Sequence, residues 1–410
     1  MTRRIISPLT IVGTVLLLLT GTGCGPPSSV TFAGHGYGHG RGMGQWGAYG
    51  YAVDHGWSWM QIMNHYYGGT SASTLGTNPM QRVLMQSNAG HDLVVAQQRG
   101  HIVTSVGKLT VGAHAVRVHR LDGARFALSE SVGCAGPWTL RHMVTAAELT
   151  IAPMVRNEDR AEMLQLCRST GQELVRGSLI AVHSATTIQT VNAIDTENML
   201  RSVIAREMSP SWADAGGGRG IHALQAQAVA ARSYMNSGDT RWSPIATTCD
   251  GGSCEAYSGV GSRTIGATKW SIYEDPRTDL AVASTARSVR RFSNGKVAAT
   301  EFSASSGGWS RGPVFTPVVD AGDATTSNPN HNWKVTLRAS TIEAAFDRRA
   351  GHDLGPLQGI VVEGRDGMGA DGGRVTSVRT RFAGAEVVVS GETMRALLGF
   401  KSSWFTPSPH

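Results

Sequence analysis

Charge is scarce in this sequence. Asp, Glu, Lys and Arg make up 16% of 410 residues, and the net charge is only +7. So thin and unclustered an excess gives no basis for binding nucleic acid, although it suits work near an anionic polymer. Long apolar runs are missing too. The run IVGTVLLLL, from Ile11 to Leu19, falls far short of the roughly 20 residues needed to span a bilayer comfortably. No internal repeat or low-complexity tract is present, so nothing points to a stacked-repeat array. Cysteine is limited to five residues. What remains is an ordinary globular composition, 41% hydrophobic and rich in glycine, with length enough for two or three domains at about 150 residues each.

The N-terminus carries an export pattern. Arg3 and Arg4 precede the apolar run, and small residues lead to Cys24, which reads as a signal peptide over residues 1–23. TGTGC resembles a bacterial lipobox, in which Cys24 is lipidated and becomes the new N-terminus, with residues 24–33 as a tether. Gly21 stands where an aliphatic residue is usual. A cleaved secreted form and an uncleaved anchor are the alternatives. All three place the body of the protein outside the cytoplasmic membrane. With Cys24 set aside, four cysteines remain, and an even number in an exported chain points to disulfides. Pairing by proximity gives Cys134–Cys167 and Cys249–Cys254. The CDGGSC loop also admits a zinc-linked pair or free thiols.

GHGYGHGRGMGQWGAYG, Gly34 to Gly50, is too feature-rich for a linker. Its glycines permit close backbone approach and aim His35, His39, Gln45 and Trp46 somewhere definite. His35 and His39 have no acidic ligand close by and are not spaced as a helical zinc motif, so no metal site and no cofactor are expected. A helix follows, with Ser58 and Gln61 at the spacing of a capping box and Gly68-Gly69 as its stop. From Thr70 to Val191 the chain turns to short, Val-rich, partly alternating runs broken by Gly and Asn, the pattern of strands and turns. This stretch reads as a β-rich accessory or inserted domain.

From Asn192 the pattern changes to helix. Asp195 is a candidate N-cap for a helix carrying Leu200, Val203, Ile204 and Met208 on one stripe. GIHALQAQAVAARSYMNS is a second, Ala-rich helix. Glu207 falls on the apolar stripe near the first helix's C-terminal end, partly desolvated and facing the negative end of the helix dipole. Both effects favour the neutral acid, the state a general acid needs. A Glu reaching out to solvent from a helix end is the plain alternative. No second acid lies next to it in sequence.

LRSVIAREMSPSW, ALQAQAVAARSY, TTCDGGSCEAY and FSASSGG, in that order, closely resemble the SpoIID/LytB family of bacterial cell-wall proteins. The closing VTSVRTRF and VSGETMRALLGFKSSWF look like that family's C-terminal part, so the resemblance runs from about 192 to 405. The GHG…HYYGG segment, residues 34–69, also looks like a family segment, one that follows the core in better-known members and here precedes it. The resemblance implies an α+β fold in which residues 34–69 pack onto a catalytic domain of residues 192–405. It also implies a peptidoglycan lytic transglycosylase, acting on glycan strands through a single acid, Glu207.

Carried over residue by residue, it places Gln227, Arg232 and Tyr234 in the cleft or its supporting shell. It makes Ser303, Ser305, Ser306, Gly307 and Gly308 a groove-lining turn. His35, His39, Gln45 and Trp46 become cleft or scaffold residues. For Arg232 a buried structural ion pair is an equal reading. The LytB name attaches to an amidase-enhancing role, so the alternative is a non-catalytic peptidoglycan-binding protein with a cell-wall amidase as partner. Some relatives bind zinc through the cysteine loop.

Overall fold

The computed structural model describes residues 25–105, 110–111, 114–155, 158–184, 186–238, 241–252 and 254–410. The expected signal segment and Cys24 lie outside the described residues. The fold is α+β, with helices α1 (Gln45–Val53), α2 (Trp59–Tyr66), α3 (Thr196–Glu207), α4 (Ile221–Met235), α5 (Pro276–Ser284), α6 (Ala339–Ala350) and α7 (Gly391–Leu398). None of the described helices is long and apolar enough to cross a membrane.

Two large sheets share one core with α3. The first is antiparallel and runs in the order Thr139–Thr145, Arg125–Ser131, Ala115–Leu121, Leu93–Ala96, Leu164–Arg168, Gly171–Val175, Gly261–Thr264 and Ser271–Ile272. The second includes Ile188–Asp195, which pairs with Met80–Leu84 on one side and Ser178–His183 on the other. Alternation is clear in Glu148–Pro153, where Leu149, Ile151 and Pro153 are buried and the intervening residues are not, the period of a strand with one face inward.

Both sheets draw strands from beyond residue 191. Gly261–Thr264 pairs with Gly171–Val175, and Thr248–Cys249 pairs with Met80–Leu84. Phe126, Leu149, Leu166 and Leu179 also share their core with Val203 and Ile204 of α3. The boundary expected at 191/192 therefore falls inside a strand.

α3 begins where Asp195 accepts a hydrogen bond from the Asn198 N–H at 3.0 Å, and its buried side chains Met199, Leu200, Val203 and Ile204 form one stripe. The helix stops after Glu207, because Met208 adopts an extended conformation, φ −134° and ψ 145°. α4 is built for close approach. Ala223, Ala226, Ala228, Ala230 and Ala231 are all fully buried, and α1, α2, α3 and α5 pack on it.

The segment before residue 70 enters two further cores. Ser29–His35 is the central strand of a sheet, flanked by Asn332–Arg338 and Phe405–Pro409, and its Val30 and Phe32 pack with Phe346, Phe400 and Phe405. Met43, Ile62, Met63, Tyr66 and Tyr67 pack with Leu224, Val229 and Ala230 of α4. α2 starts on the capping box: the Ser58 N–H donates to Gln61 Oε1 at 2.9 Å, and the Gln61 N–H to Ser58 Oγ at 3.4 Å.

Disulfides join Cys134 to Cys167 and Cys249 to Cys254, with Cα–Cα distances of 5.9 and 5.5 Å. These are the pairs expected from proximity, and they fit an oxidising compartment.

Candidate active site

Three separate parts of the chain meet at Glu207. Its Oε2 accepts a hydrogen bond from Gln45 Nε2 at 3.1 Å, and its Oε1 accepts one from the Ala256 N–H at 3.1 Å. Gln45 is the first residue of α1, Glu207 the last of α3, and Ala256 follows the Cys249–Cys254 loop. The carboxylate is half-buried and lines a cleft of about 660 Å³.

Polar groups from several elements share that cleft. Arg41 forks onto Glu301, with Nε 2.9 Å from each carboxylate oxygen and Nη2 2.7 Å from one of them, the bidentate geometry in which Arg holds a carboxylate best. His39 Nδ1 accepts the Arg41 N–H at 3.0 Å. Burial, reinforced by the positive charge of Arg41, pushes the His39 imidazole down to about 4. His39 is thus neutral at physiological pH. With Nδ1 acting as acceptor its proton sits on Nε2, which makes it a hydrogen-bond donor and not a cation. The Tyr234 hydroxyl accepts from Arg241 Nη2 at 3.2 Å. Ser303 also lines the cleft, and its buried hydroxyl has no hydrogen-bond partner among the described residues.

One residue in the cleft escapes a reading of the sequence. Glu255, immediately after Cys254, is 5% exposed, and neither of its carboxyl oxygens has a hydrogen-bond partner among the described residues. Burial, with the negative charge of Glu207 adding to it, drives its carboxyl well above the usual carboxylate range. A search for a second acid near Glu207 along the chain misses it, because the two are joined only by the fold. The available signal was a Glu inside the motif-bearing stretch CEAY.

The structure thus gathers Glu207, His39, Gln45, Tyr234 and Ser303 in one cleft. The other expected site residues lie elsewhere. Ser305 Oγ donates to both carboxylate oxygens of Asp323, at 2.8 and 2.9 Å, and Ser306 Oγ donates to Asp320 at 2.6 Å. They face a buried acidic pair instead of a groove. The N–H groups of Ser306 and Gly307 also donate to Asp323, each at 3.0 Å, and the Gly308 N–H donates to Ser306 Oγ at 3.1 Å. Gly307 has φ +78°, and a Cβ there would lie 2.8 Å from the backbone of His35 and Gly36. Only glycine allows that approach.

His35 itself packs on Trp404, ring centroids 5.0 Å apart, with Nε2 3.8 Å from Asp371. Trp46 sits 4.5 Å from Trp212 and 5.5 Å from Tyr49 in a half-exposed aromatic group. Gln227 is fully buried on α4 and makes no side-chain hydrogen bond to a described residue.

Arg232 is an internal staple. It is fully buried, forks onto Glu197 of α3 at 2.9 and 2.7 Å, and donates to the carbonyls of Val282 and Ser288 at 3.3 and 3.2 Å. It ties α3, α4 and α5 together, so its place is structural. Arg232→Ala should cost about 3 kcal/mol or more of unfolding free energy, since it strands a carboxylate and several carbonyls. Urea unfolding measures this, and an unchanged midpoint would show that Arg232 does not act as a staple.

A zinc site at the cysteine loop does not fit. The sulfurs of Cys249 and Cys254 are spent on each other. Among the described residues no group of three or more His, Cys, Asp and Glu side chains could hold a metal ion.

Residues 184–292 match the family model of SpoIID, the stage II sporulation protein domain, a domain associated with lysis of cell-wall peptidoglycan. The matched stretch holds α3, α4 and the cysteine loop, and with them Glu207, Tyr234 and Glu255. Arg41, Gln45, Glu301 and Ser303 lie outside it. No curated protein and no solved structure matches the chain.

Proposed function

We propose that the chain is a peptidoglycan lytic transglycosylase that cuts the bond between N-acetylmuramic acid and N-acetylglucosamine, with Glu207 as acid and then base. The observation that carries this reading is the Glu207 carboxyl group, held by Gln45 and the Ala256 N–H, in a polar cleft. The family match over the stretch containing Glu207 supports the substrate class.

In this reaction Glu207 donates its proton to the glycosidic oxygen as the bond to the anomeric carbon breaks. The muramyl C6 hydroxyl then closes on that carbon, and the Glu207 carboxylate takes up the hydroxyl proton. The ring closure is intramolecular, so it needs no attacking water and no separate base to activate one, unlike ordinary glycosidases. The Nε2–H of His39 and the hydroxyls of Tyr234 and Ser303 would hydrogen-bond the sugar. The protein works outside the cytoplasmic membrane, exported by its N-terminal signal and tethered at Cys24, where glycan strands are its partner.

The test is release of soluble glycan fragments by purified protein from peptidoglycan with and without stem peptides. Fragments ending in anhydromuramic acid from either substrate are the expected result. Intact glycan from both would overturn the reading and favour the amidase-enhancing alternative.

A further inference from the structure

The outward face of α1 is of the wrong kind for water. A surface helix normally turns charged or polar side chains outward. α1, QWGAYGYAV, has no charged residue, and the positions it leaves half-exposed are Trp46, Tyr49 and Val53, which share one face. Trp46 and Tyr49 meet Trp212 of the short helical turn Pro210–Asp214, their ring centroids 4.5 and 4.7 Å from its own. Trp212 is half-exposed as well. Three neutral aromatic rings left open to water side by side mark a contact surface.

Their place says what they contact. α1 meets the chain around the end of α3 twice in succession, Gln45 with Glu207 and Trp46 with Trp212. The Trp46 N–H donates to the Ala304 carbonyl at 3.0 Å, and Gln45, Glu207 and Ala304 all line the cleft. The rings therefore adjoin the wall that carries the carboxyl group. A cleft of about 660 Å³ is the size of a small-molecule pocket, while a glycan strand is a long polymer and runs on past it. Sugar rings have flat C–H faces and hydroxyl rims. An aromatic ring covers such a face and leaves the hydroxyls in water, so neutral rings beside the cleft suit the strand that leaves it.

We propose that Trp46, Tyr49 and Trp212 are a second glycan-binding surface, on which sugar rings of the strand outside the cleft stack. This rests on the glycan-cleaving reading above, of which it needs only that the cleft takes glycan. The gain in affinity then grows with strand length, because a short oligosaccharide fills the cleft without reaching the rings. Trp46 carries the test, since Tyr49 and Trp212 also pack against the core around α4. Trp46→Leu keeps apolar bulk but no flat ring, and Trp46→Tyr keeps a ring.

Binding is measured on the full protein carrying Glu207→Gln, which should hold strands without cutting them, with glycan freed of stem peptides. The indole N–H signals of Trp46 and Trp212 in NMR spectra, assigned from Trp46→Tyr and Trp212→Phe, should shift with long strands and stay in place with a disaccharide. Adding Trp46→Leu should weaken long-strand binding roughly three- to tenfold, the worth of one aromatic contact, and Trp46→Tyr should keep most of the affinity. Unmoved indole signals, or equal affinity for long strands with and without the ring, would overturn this inference alone. So would a dimer in sedimentation that Trp46→Leu dissolves with no loss of glycan binding, which assigns the rings to contact between copies. Binding in the expected pattern by a protein whose wild type never cuts would uphold the surface and overturn the cleavage. A protein that neither binds nor cuts glycan overturns the glycan-cleaving reading, and the inference with it.

Discussion

Glu207→Gln should fold and melt as the wild type does while glycan cleavage falls on the order of 10²–10⁴-fold, the usual cost of losing a general acid–base group. The loss should lie at the upper end, because one group serves both proton transfers. The substitution is gentle in structural terms. The amide oxygen can still accept the Ala256 N–H. The new amide nitrogen would face Gln45 Nε2, and a flip of the Gln45 amide presents an oxygen there instead. A Glu207 that serves only to pin Gln45 and the cysteine loop would give the opposite pattern, with a lower melting temperature and almost unchanged turnover. Melting curves and initial rates on one preparation separate the two.

Removing residues 25–69 should leave a chain that no longer folds cooperatively. The deletion takes out the central strand Ser29–His35 and both α1 and α2. With them go the fully buried Val30, Phe32, Met43, Ile62, Met63, Tyr66 and Tyr67. At about 1.5–3 kcal/mol for each large apolar side chain, the loss is comparable to or exceeds the total stability of a typical domain, about 5–15 kcal/mol. Arg41 and Gln45 leave the cleft as well. A sharp melting transition at the wild-type temperature in the truncated protein would contradict this.

What the sequence displays plainly is whatever is written locally. The Asp195 cap, the stripe of α3, the Ser58–Gln61 capping box and the cysteine pairs are settled within a few residues or by simple proximity. The strand character of residues 70–191 is local in the same way. The partnership of those strands with Gly261–Thr264 and Thr248–Cys249 is not, since pairing over such distances depends on the finished fold.

The site divides along the same line. Glu207 is legible from its helical register. Glu255 sits in a loop with no periodicity to mark it, and Arg41 meets Glu301 from 260 residues away. Ser305 and Ser306 lie in an evident turn, yet only the fold reveals that they face Asp323 and Asp320. Arg232 shows the limit most simply. An arginine on a buried helix suits a cleft and an ion pair equally, and Glu197, 35 residues before it, decides for the pair.

If this cleft cuts glycan by internal ring closure at Glu207, digestion in heavy-oxygen water leaves the products without label. Purified peptidoglycan is digested in labelled water by wild type and by Glu207→Gln, and the new chain ends are weighed by mass spectrometry. Internal ring closure should give wild-type ends that lack the mass of one water and carry no label, and almost no new ends from Glu207→Gln. Labelled reducing ends from the wild type, or equal release by both proteins, would contradict it.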